Sequence, residues 1–206
     1  SGCFGVGFVF PLGPPPPPTA AAISPGMAMT RVSGAVVARR VGAQPWISGV
    51  TVIRRWPATV VIRVTERRPA AVARDDARTW AVVDATGRVL EQVDRLPEGL
   101  PVIEGVPAAG APGTVLGPPA SDPLRVATSL PRGLAPRVAS VMRAGSDVEL
   151  RLRPAGVVLL GSLAGLQAGG IDQKLQAALT VLATVDGRVV ATLDVRIPAT
   201  PVLTRG

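Results

Sequence analysis

The chain has 206 residues, of which 47% are hydrophobic and 17% charged, a composition typical of a globular protein with one or two domains. It has no histidine and one cysteine, Cys3, which excludes a Ser-His-Asp triad, an imidazole metal site and a disulfide or thiolate zinc site within the chain. The formal net charge is +8 at pH 7. Residues 31–78 hold ten arginines against three acids, whereas residues 79–206 are nearly balanced, so the charge belongs to one region.

The sequence contains no segment that could cross a membrane. The apolar run Phe4–Leu12 is nine residues long and broken by a proline, whereas a spanning helix needs about 20 apolar residues. It also lacks the basic flank of a signal peptide. The chain begins at Ser1 rather than methionine, so we expect a fragment or a processed product, and the lack of an anchor here does not establish its absence from the parent protein.

The N-terminal residues 1–19 form a proline-rich segment that we expect to be irregular. The five consecutive prolines at Pro14–Pro18 cannot join a helix or a central strand. A short helix is predicted at Thr19–Ile23, before a Ser-Pro-Gly break.

A helix followed by a hairpin is predicted next. Ser33 is placed to cap the helix, and Pro45 ends it. Two strands then meet at a turn, Trp56–Ala58. The second strand has the period-2 pattern of a half-buried antiparallel strand, with the apolar positions Val60, Ile62 and Val64. Helix and hairpin together predict a small α+β unit.

The rest of the chain predicts a larger sheet with two helices. Residues 107–123 read as a Pro/Gly/Ala-rich linker, followed by a helix at Leu124–Leu130. Asp172 is placed to cap a second, clearly amphipathic helix, on which Lys174 is expected to face away from the core together with Gln173 and Gln176. Strands are predicted at Trp80–Val83, Arg88–Gln92, Val138–Met142, Val148–Arg153, Val157–Gly161 and Val190–Ile197.

The arginine-rich region raises the possibility of nucleic-acid binding, because phosphates attract such residues. Single-strand binders interleave aromatic platforms with their cations, and this chain has no tyrosine and only three tryptophans, which we expect to pack in cores or hairpins. We therefore predict no nucleic-acid binding, no catalysis, no metal or cofactor and no small-molecule substrate. The basic residues are instead predicted to form a solvated or headgroup-facing patch of Arg39, Arg40, Arg54, Arg55, Arg63, Arg67 and Arg68.

Several stretches resemble the extracytoplasmic part of the FtsQ/DivIB family of bacterial cell-division proteins, in its actinobacterial form. The most specific are "VARRVGAQPWISGVTVIRRWPATVVIRVTERRPAAV", "WAVVDATGRVL" and "LPVIEGV". Two more, "DQKLQAALTVLATV" and "ATLDVRIPATPVLTRG", resemble the last helix and last strands of that family. They occur in the family's order over roughly residues 20–206.

The resemblance implies an α+β architecture of two domains. Residues 20–72 would form a POTRA domain of the order β-α-α-β-β, and residues 73–206 a larger mixed β-sheet domain with flanking helices. The polyproline run stands where the POTRA family has its first strand. Either Phe4–Phe10 supplies that strand, or the N-terminus departs from the family. A single membrane span, absent from this sequence, would hold both domains outside the cell membrane at the division septum.

The resemblance also implies a non-catalytic scaffold that recruits other division proteins, namely an FtsB/FtsL-type complex and the septal peptidoglycan synthase complex. The partner would add a strand at the C-terminal sheet edge. The matching partner-binding positions are Leu193, Asp194, Val195, Arg196 and Ile197. Arg196 is the candidate for a partner carboxylate, and Lys174 on the preceding helix is a further candidate contact. The alternative is a basic POTRA-like module that binds anionic membrane or cell-wall polymer.

Overall fold

A computed structural model describes residues 6–9, 33–57, 59–75, 78–167, 169–185 and 190–205. The backbone divides into two compact units, residues 1–68 and 69–206. The helix predicted at Thr19–Ile23 and the polyproline run lie outside the described residues.

The first unit is a three-stranded sheet with a helix. Its described elements are β1 (Val6–Val9), α1 (Gly34–Gly42), β2 (Ile47–Arg55) and β3 (Thr59–Glu66). The strand order is β1-β3-β2, with β2 antiparallel and β1 parallel to β3. Val6–Val9, within the stretch Phe4–Phe10, therefore supply the first strand, and the hairpin turns where the sequence predicts.

The core of this unit follows from the two periodicities of its sequence. In α1, Val37 and Val41 lie one turn apart and are buried. They pack with the alternating residues of β3, Val60 and Ile62, and with Ile47 at the start of β2. Because alternate strand residues face opposite sides of a sheet, the residues between them face away from α1.

The second unit is a nine-stranded mixed sheet with two helices, α2 (Ser121–Ser129) and α3 (Gly170–Thr184). The strand order is β12-β11-β10-β9-β8-β7-β4-β5-β6. The strands are β4 (Pro69–Arg74), β5 (Trp80–Asp84), β6 (Val89–Val93), β7 (Val102–Glu104), β8 (Val138–Ala144), β9 (Asp147–Leu152), β10 (Val157–Ser162), β11 (Val190–Asp194) and β12 (Val202–Arg205). Leu124 of α2 and Leu175 of α3 share one buried cluster with strand residues such as Leu150 and Leu193.

Four strands of this sheet, β4, β7, β11 and β12, differ from the sequence predictions. The predicted first domain extends to residue 72, but Pro69–Arg74 pairs with β5 and β7 in the second sheet. The sequence does not predict β7, because its three residues are too few to show the alternation of a strand. The predicted last strand, Val190–Ile197, ends at Asp194 because a turn closed by the Thr200 N–H to the Ile197 carbonyl follows. After this turn the chain returns as β12.

Candidate partner-binding edge

The large sheet has two edge strands, β6 and β12, and they are protected differently. The Val89 N–H of β6 donates to the Thr114 carbonyl at 2.9 Å, and the Gly113 N–H donates back to Val89 at 2.8 Å. The middle of β6 exposes Glu91 and Gln92, and charges on an edge discourage further pairing. The outer side of β12 pairs with no strand in the described part of the chain. It is therefore the more open of the two edges.

The inner side of β12 is fixed by an antiparallel ladder to β11. Leu203 pairs with Leu193 and is half-buried against the core, while Val202 pairs with Asp194. An edge strand held in this way presents outward-facing backbone N–H and C=O groups, which is what strand addition requires.

Two large apolar side chains are exposed where the chain enters β12. Ile197 is 66% exposed and Val202 is 62% exposed. Together with Asp194, Arg196 and Thr200 they line a cleft of about 390 Å³. A soluble monomer gains nothing from exposing two neighbouring apolar residues, so the cleft is suited to a partner side chain.

Arg196 is held by an ion pair within its own chain. Its Nη2 donates to Asp194 Oδ2 at 2.6 Å, and its Nε donates to the same oxygen at 2.9 Å. Its backbone N–H also donates to Asp194 Oδ1 at 2.9 Å. The side-chain hydrogen bond from Arg196, followed by its backbone one, holds the pKa of Asp194 below its usual value. Asp194 in turn raises the pKa of Arg196, so both groups are charged at physiological pH.

The aliphatic stem of Arg196 lies over Gly161 of β10. Gly161 has φ +71°, and a Cβ added there would lie 2.9 Å from Arg196 Cγ. Glycine is thus needed both for the left-handed backbone and for the close approach of the arginine. The ion pair with Asp194 and the contact with Gly161 hold Arg196 in place at the surface within the chain itself.

Lys174 is buried, and the prediction that it faces away from the core is wrong. It is only 5% exposed, and its Nζ donates to the carbonyl oxygens of Leu160 at 2.6 Å and Arg196 at 2.9 Å. Burial lowers the pKa of Lys174, with smaller opposing effects from Asp194 and Asp147. No feature of the sequence indicates this burial, because a lysine on an amphipathic helix is ordinarily solvated.

The five predicted partner-binding positions separate into two groups. Leu193 and Val195 are fully buried in the core cluster, whereas Asp194, Arg196 and Ile197 reach the surface. Val202 belongs with the surface group, and sequence reasoning missed it. Its strand is four residues long and lies next to Pro201, so no alternation distinguishes it from a tail.

The arginines of the first unit do not form one face. Arg39 and Arg40 are exposed on α1. Arg63 and Arg55 alternate with core residues and so face the side of the sheet opposite α1. Arg54 and Arg68 are exposed elsewhere on the unit, and Arg67 is half-buried, with its Nε donating to the Ile47 carbonyl at 3.3 Å.

Within the described ranges, none of the helices is both long and apolar enough to pass through a bilayer.

Comparison with known proteins identifies a family model and relatives that match this chain. Residues 19–67 match the family "POTRA domain, FtsQ-type", and this range lies within the first unit. The cell division protein FtsQ of Streptomyces griseus is 31% identical over 185 residues, covering 88% of this chain and 85% of that protein. FtsQ of Neisseria meningitidis is 41% identical over 83 residues, covering 40% of this chain and 32% of that protein.

A solved structure is also similar, that of the major extracytoplasmic domain of the trans isomer of the cell division protein DivIB from Geobacillus stearothermophilus. It shares 16% identity at a TM-score of 0.38, over 58% of this chain and 91% of that chain. The family assignment rests on the sequence relatives and on the POTRA match. The chain is an α+β protein that belongs to the FtsQ/DivIB family of bacterial cell-division proteins.

Proposed function

We propose that this chain is a non-catalytic scaffold of the division machinery that binds partner proteins by strand addition at β12. The observation that carries the proposal is the open outer edge of β12 beside the exposed side chains of Ile197 and Val202. In this proposal a single membrane span holds the described units on the outer side of the cell membrane at the septum. The partners are an FtsB/FtsL-type complex and, through it, the septal peptidoglycan synthase complex.

The chemistry of the edge defines the partner segment. It is extended, because the backbone of β12 offers a ladder. It carries an apolar side chain for the cleft at Ile197 and a carboxylate near Arg196. Among the described residues, Arg196 uses Nε and Nη2 for Asp194 and has no acceptor at Nη1. A partner carboxylate can therefore bind Nη1 without breaking the internal ion pair.

The test is calorimetric titration with the extracytoplasmic segment of the FtsB-type protein from the same genome. We expect saturable binding, and loss of binding when alternate backbone amides of the segment are N-methylated on the side that pairs with β12. A segment methylated on the opposite side is the control. Equal affinity for the two methylated segments would exclude strand addition.

The role of Arg196 is tested by Arg196→Glu, which we expect to weaken binding by tenfold or more, because a hydrogen bond between charged groups contributes about 1.5 to 3 kcal/mol. Arg132→Glu makes the same charge change at another exposed position and should leave the affinity unchanged. Equal weakening by both variants would mean that net charge, rather than Arg196, governs binding.

A second candidate function is supported by Trp56. The expectation that all three tryptophans pack inward is wrong for this residue, which is 66% exposed at the turn between β2 and β3. Arg54 and Arg55 immediately precede it and are exposed. Tryptophan favours the interface of a bilayer, and a basic residue near an anionic surface contributes about 1 kcal/mol. We propose that this turn, Arg54–Pro57, contacts anionic lipid headgroups.

Vesicle co-sedimentation tests this second function. We expect binding that increases with the fraction of anionic lipid, weakens as salt is raised and falls in Trp56→Ala. Leu96→Ala removes an exposed apolar side chain from the second unit and is the control. Identical sedimentation with anionic and zwitterionic vesicles would exclude the lipid contact.

A further inference from the structure

We infer that Lys174 is a positioning residue for the partner-binding edge, because its ammonium group fixes the connection between β11 and β12 from inside the unit. The inference deepens the proposed function and rests on it where partner binding is concerned. Lys174 touches no partner in this arrangement. It acts through the backbone of Arg196.

The first anchor of the ammonium group is an irregularity in β10. The register of β10 against β9 shifts between Leu159 and Gly161, so Leu160 has no partner residue in β9. A bulge of this kind leaves backbone groups that the ladder does not satisfy, and a buried carbonyl without a donor is costly. The Lys174 Nζ supplies the donor, at 2.6 Å from the Leu160 oxygen.

The second anchor is the carbonyl oxygen of Arg196, 2.9 Å from the same nitrogen. Arg196 lies two residues beyond the end of β11, at the start of the segment that leads to β12. The Val195 N–H donates to the Leu159 carbonyl at 3.0 Å, just before this point. One ammonium group on α3 thus ties the connecting segment to β10, next to the exposed side chains that would meet a partner.

The burial of this cation needs an explanation that core stability does not provide. Its hydrogen bonds to Leu160 and Arg196 both go to main-chain carbonyls rather than to a carboxylate, although Asp194 and Asp147 lie near enough to favour its charge and Arg196 to oppose it. An apolar residue would fill the same volume without removing a charge from water. An apolar residue could not hold two backbone oxygens of different segments in one place.

The role of Lys174, the only lysine in the chain, can be measured without a partner. We expect Lys174→Met to speed hydrogen exchange at the amides of residues 195–205 by about tenfold or more, the scale of one charged hydrogen bond, with unchanged exchange in β8 and β9. Gln173→Met, on the exposed side of the same helix, is the matched control. Wild-type protection at residues 195–205 in Lys174→Met would overturn the inference.

Chemical acetylation of the wild-type protein provides a second measurement if Lys174→Met does not fold. We expect the Lys174 amine to react at a rate set by opening of residues 195–205, and more slowly still when the partner segment is bound. Reaction as fast as that of free lysine would overturn the inference, because the amine would then not be held.

A double-mutant cycle separates positioning from general destabilisation. We expect Lys174→Met to weaken binding of the partner segment about tenfold in the wild-type background and to have little further effect in Arg196→Ala. Arg196→Ala keeps the carbonyl that Lys174 binds and removes only the side chain, so fully additive losses would show that Lys174 does not position the Arg196 side chain for the partner. If the wild-type protein binds no such segment, the proposed function fails, while hydrogen exchange and acetylation still decide whether Lys174 holds the connection.

Discussion

The backbone and the side chain of Arg196 are both held by residues of its own chain. Its guanidinium and N–H bind Asp194, its stem crosses Gly161, and its carbonyl accepts a hydrogen bond from Lys174. A long side chain at a surface ordinarily loses about 1.5 to 2 kcal/mol of rotamer entropy when a partner immobilises it. Here that loss has largely occurred on folding, so the arginine is preorganised for binding.

We expect Gly161→Ala to weaken partner binding beyond its effect on folding. Gly161 has φ +71°. Gly165 has nearly the same φ, +72°, but a Cβ added there would meet nothing within 4 Å. Both alanine variants should lower the free energy of unfolding by about 1 to 2 kcal/mol, the cost of a left-handed backbone. Only Gly161→Ala displaces Arg196. Urea unfolding and titration measure the two effects, and equal affinities in the two variants would contradict the prediction.

The buried lysine should also give the protein an unusual alkaline stability profile. Burial lowers the pKa of Lys174 in the folded state below 10.5, its ordinary value in the unfolded chain. At pH values between the folded-state pKa and the unfolded-state pKa, the unfolded chain therefore binds more protons than the folded one. The free energy of unfolding should therefore rise with pH in that window. The chain has no histidine, no tyrosine and no second lysine to obscure the effect. Denaturation at several pH values should show this rise in the wild type and in Gln173→Met. A rise that persists unchanged in Lys174→Met would contradict the assignment.

The two edges of the large sheet behave as different elements because of what covers them. Residues 113–116 lie beside the start of β6 and hydrogen-bond its first residue, Val89, whereas within the described residues β12 pairs only with β11. The long Pro/Gly/Ala-rich linker of the sequence thus has a structural purpose as an edge cover. The contrast leaves one edge suitable for recognition.

At the element scale, we expect Ile197→Ala and Val202→Ala to weaken partner binding while changing the free energy of unfolding by no more than about 0.5 kcal/mol. Both side chains are mostly exposed, so little folding energy depends on them. Val115→Ala, also a mostly exposed apolar residue but on the covered side of the sheet, should affect neither quantity. If all three variants bind the partner segment equally, the cleft beside β12 is not the contact.

Hairpins and long helices of this protein are predictable from sequence, and short or non-local strands are not. The β2–β3 turn, the β5–β6 hairpin and α3 arise from contacts between neighbours in the chain, which leave a period or a turn signal. The strands β4 and β7 pair with each other across an intervening hairpin, and β12 has four residues. Such strands are specified by their partners rather than by their own pattern.

At the scale of the whole molecule, the two compact units divide the basic charge from the proposed edge. The seven arginines of the predicted basic patch lie in residues 1–68, and β12 with the residues that contact Arg196 lies in residues 69–206. No strand of either sheet is shared between the units.

We therefore expect residues 69–206, expressed alone, to fold and to bind the partner segment with the affinity of the full chain. Circular dichroism and the same titration measure this, with Arg196→Glu in the fragment as the control for specific binding. A folded fragment that binds at least tenfold more weakly would show that the first unit contributes to the site.

The sequence alone determined the family, the α+β class and the order of most elements, because these depend on local patterns and motifs. It could not determine that Lys174 is buried, that Leu193 and Val195 face the core, or that β12 is an open edge. Those properties depend on which strands lie side by side and on what covers them. They were decided by the tertiary structure, through contacts between residues far apart in the chain.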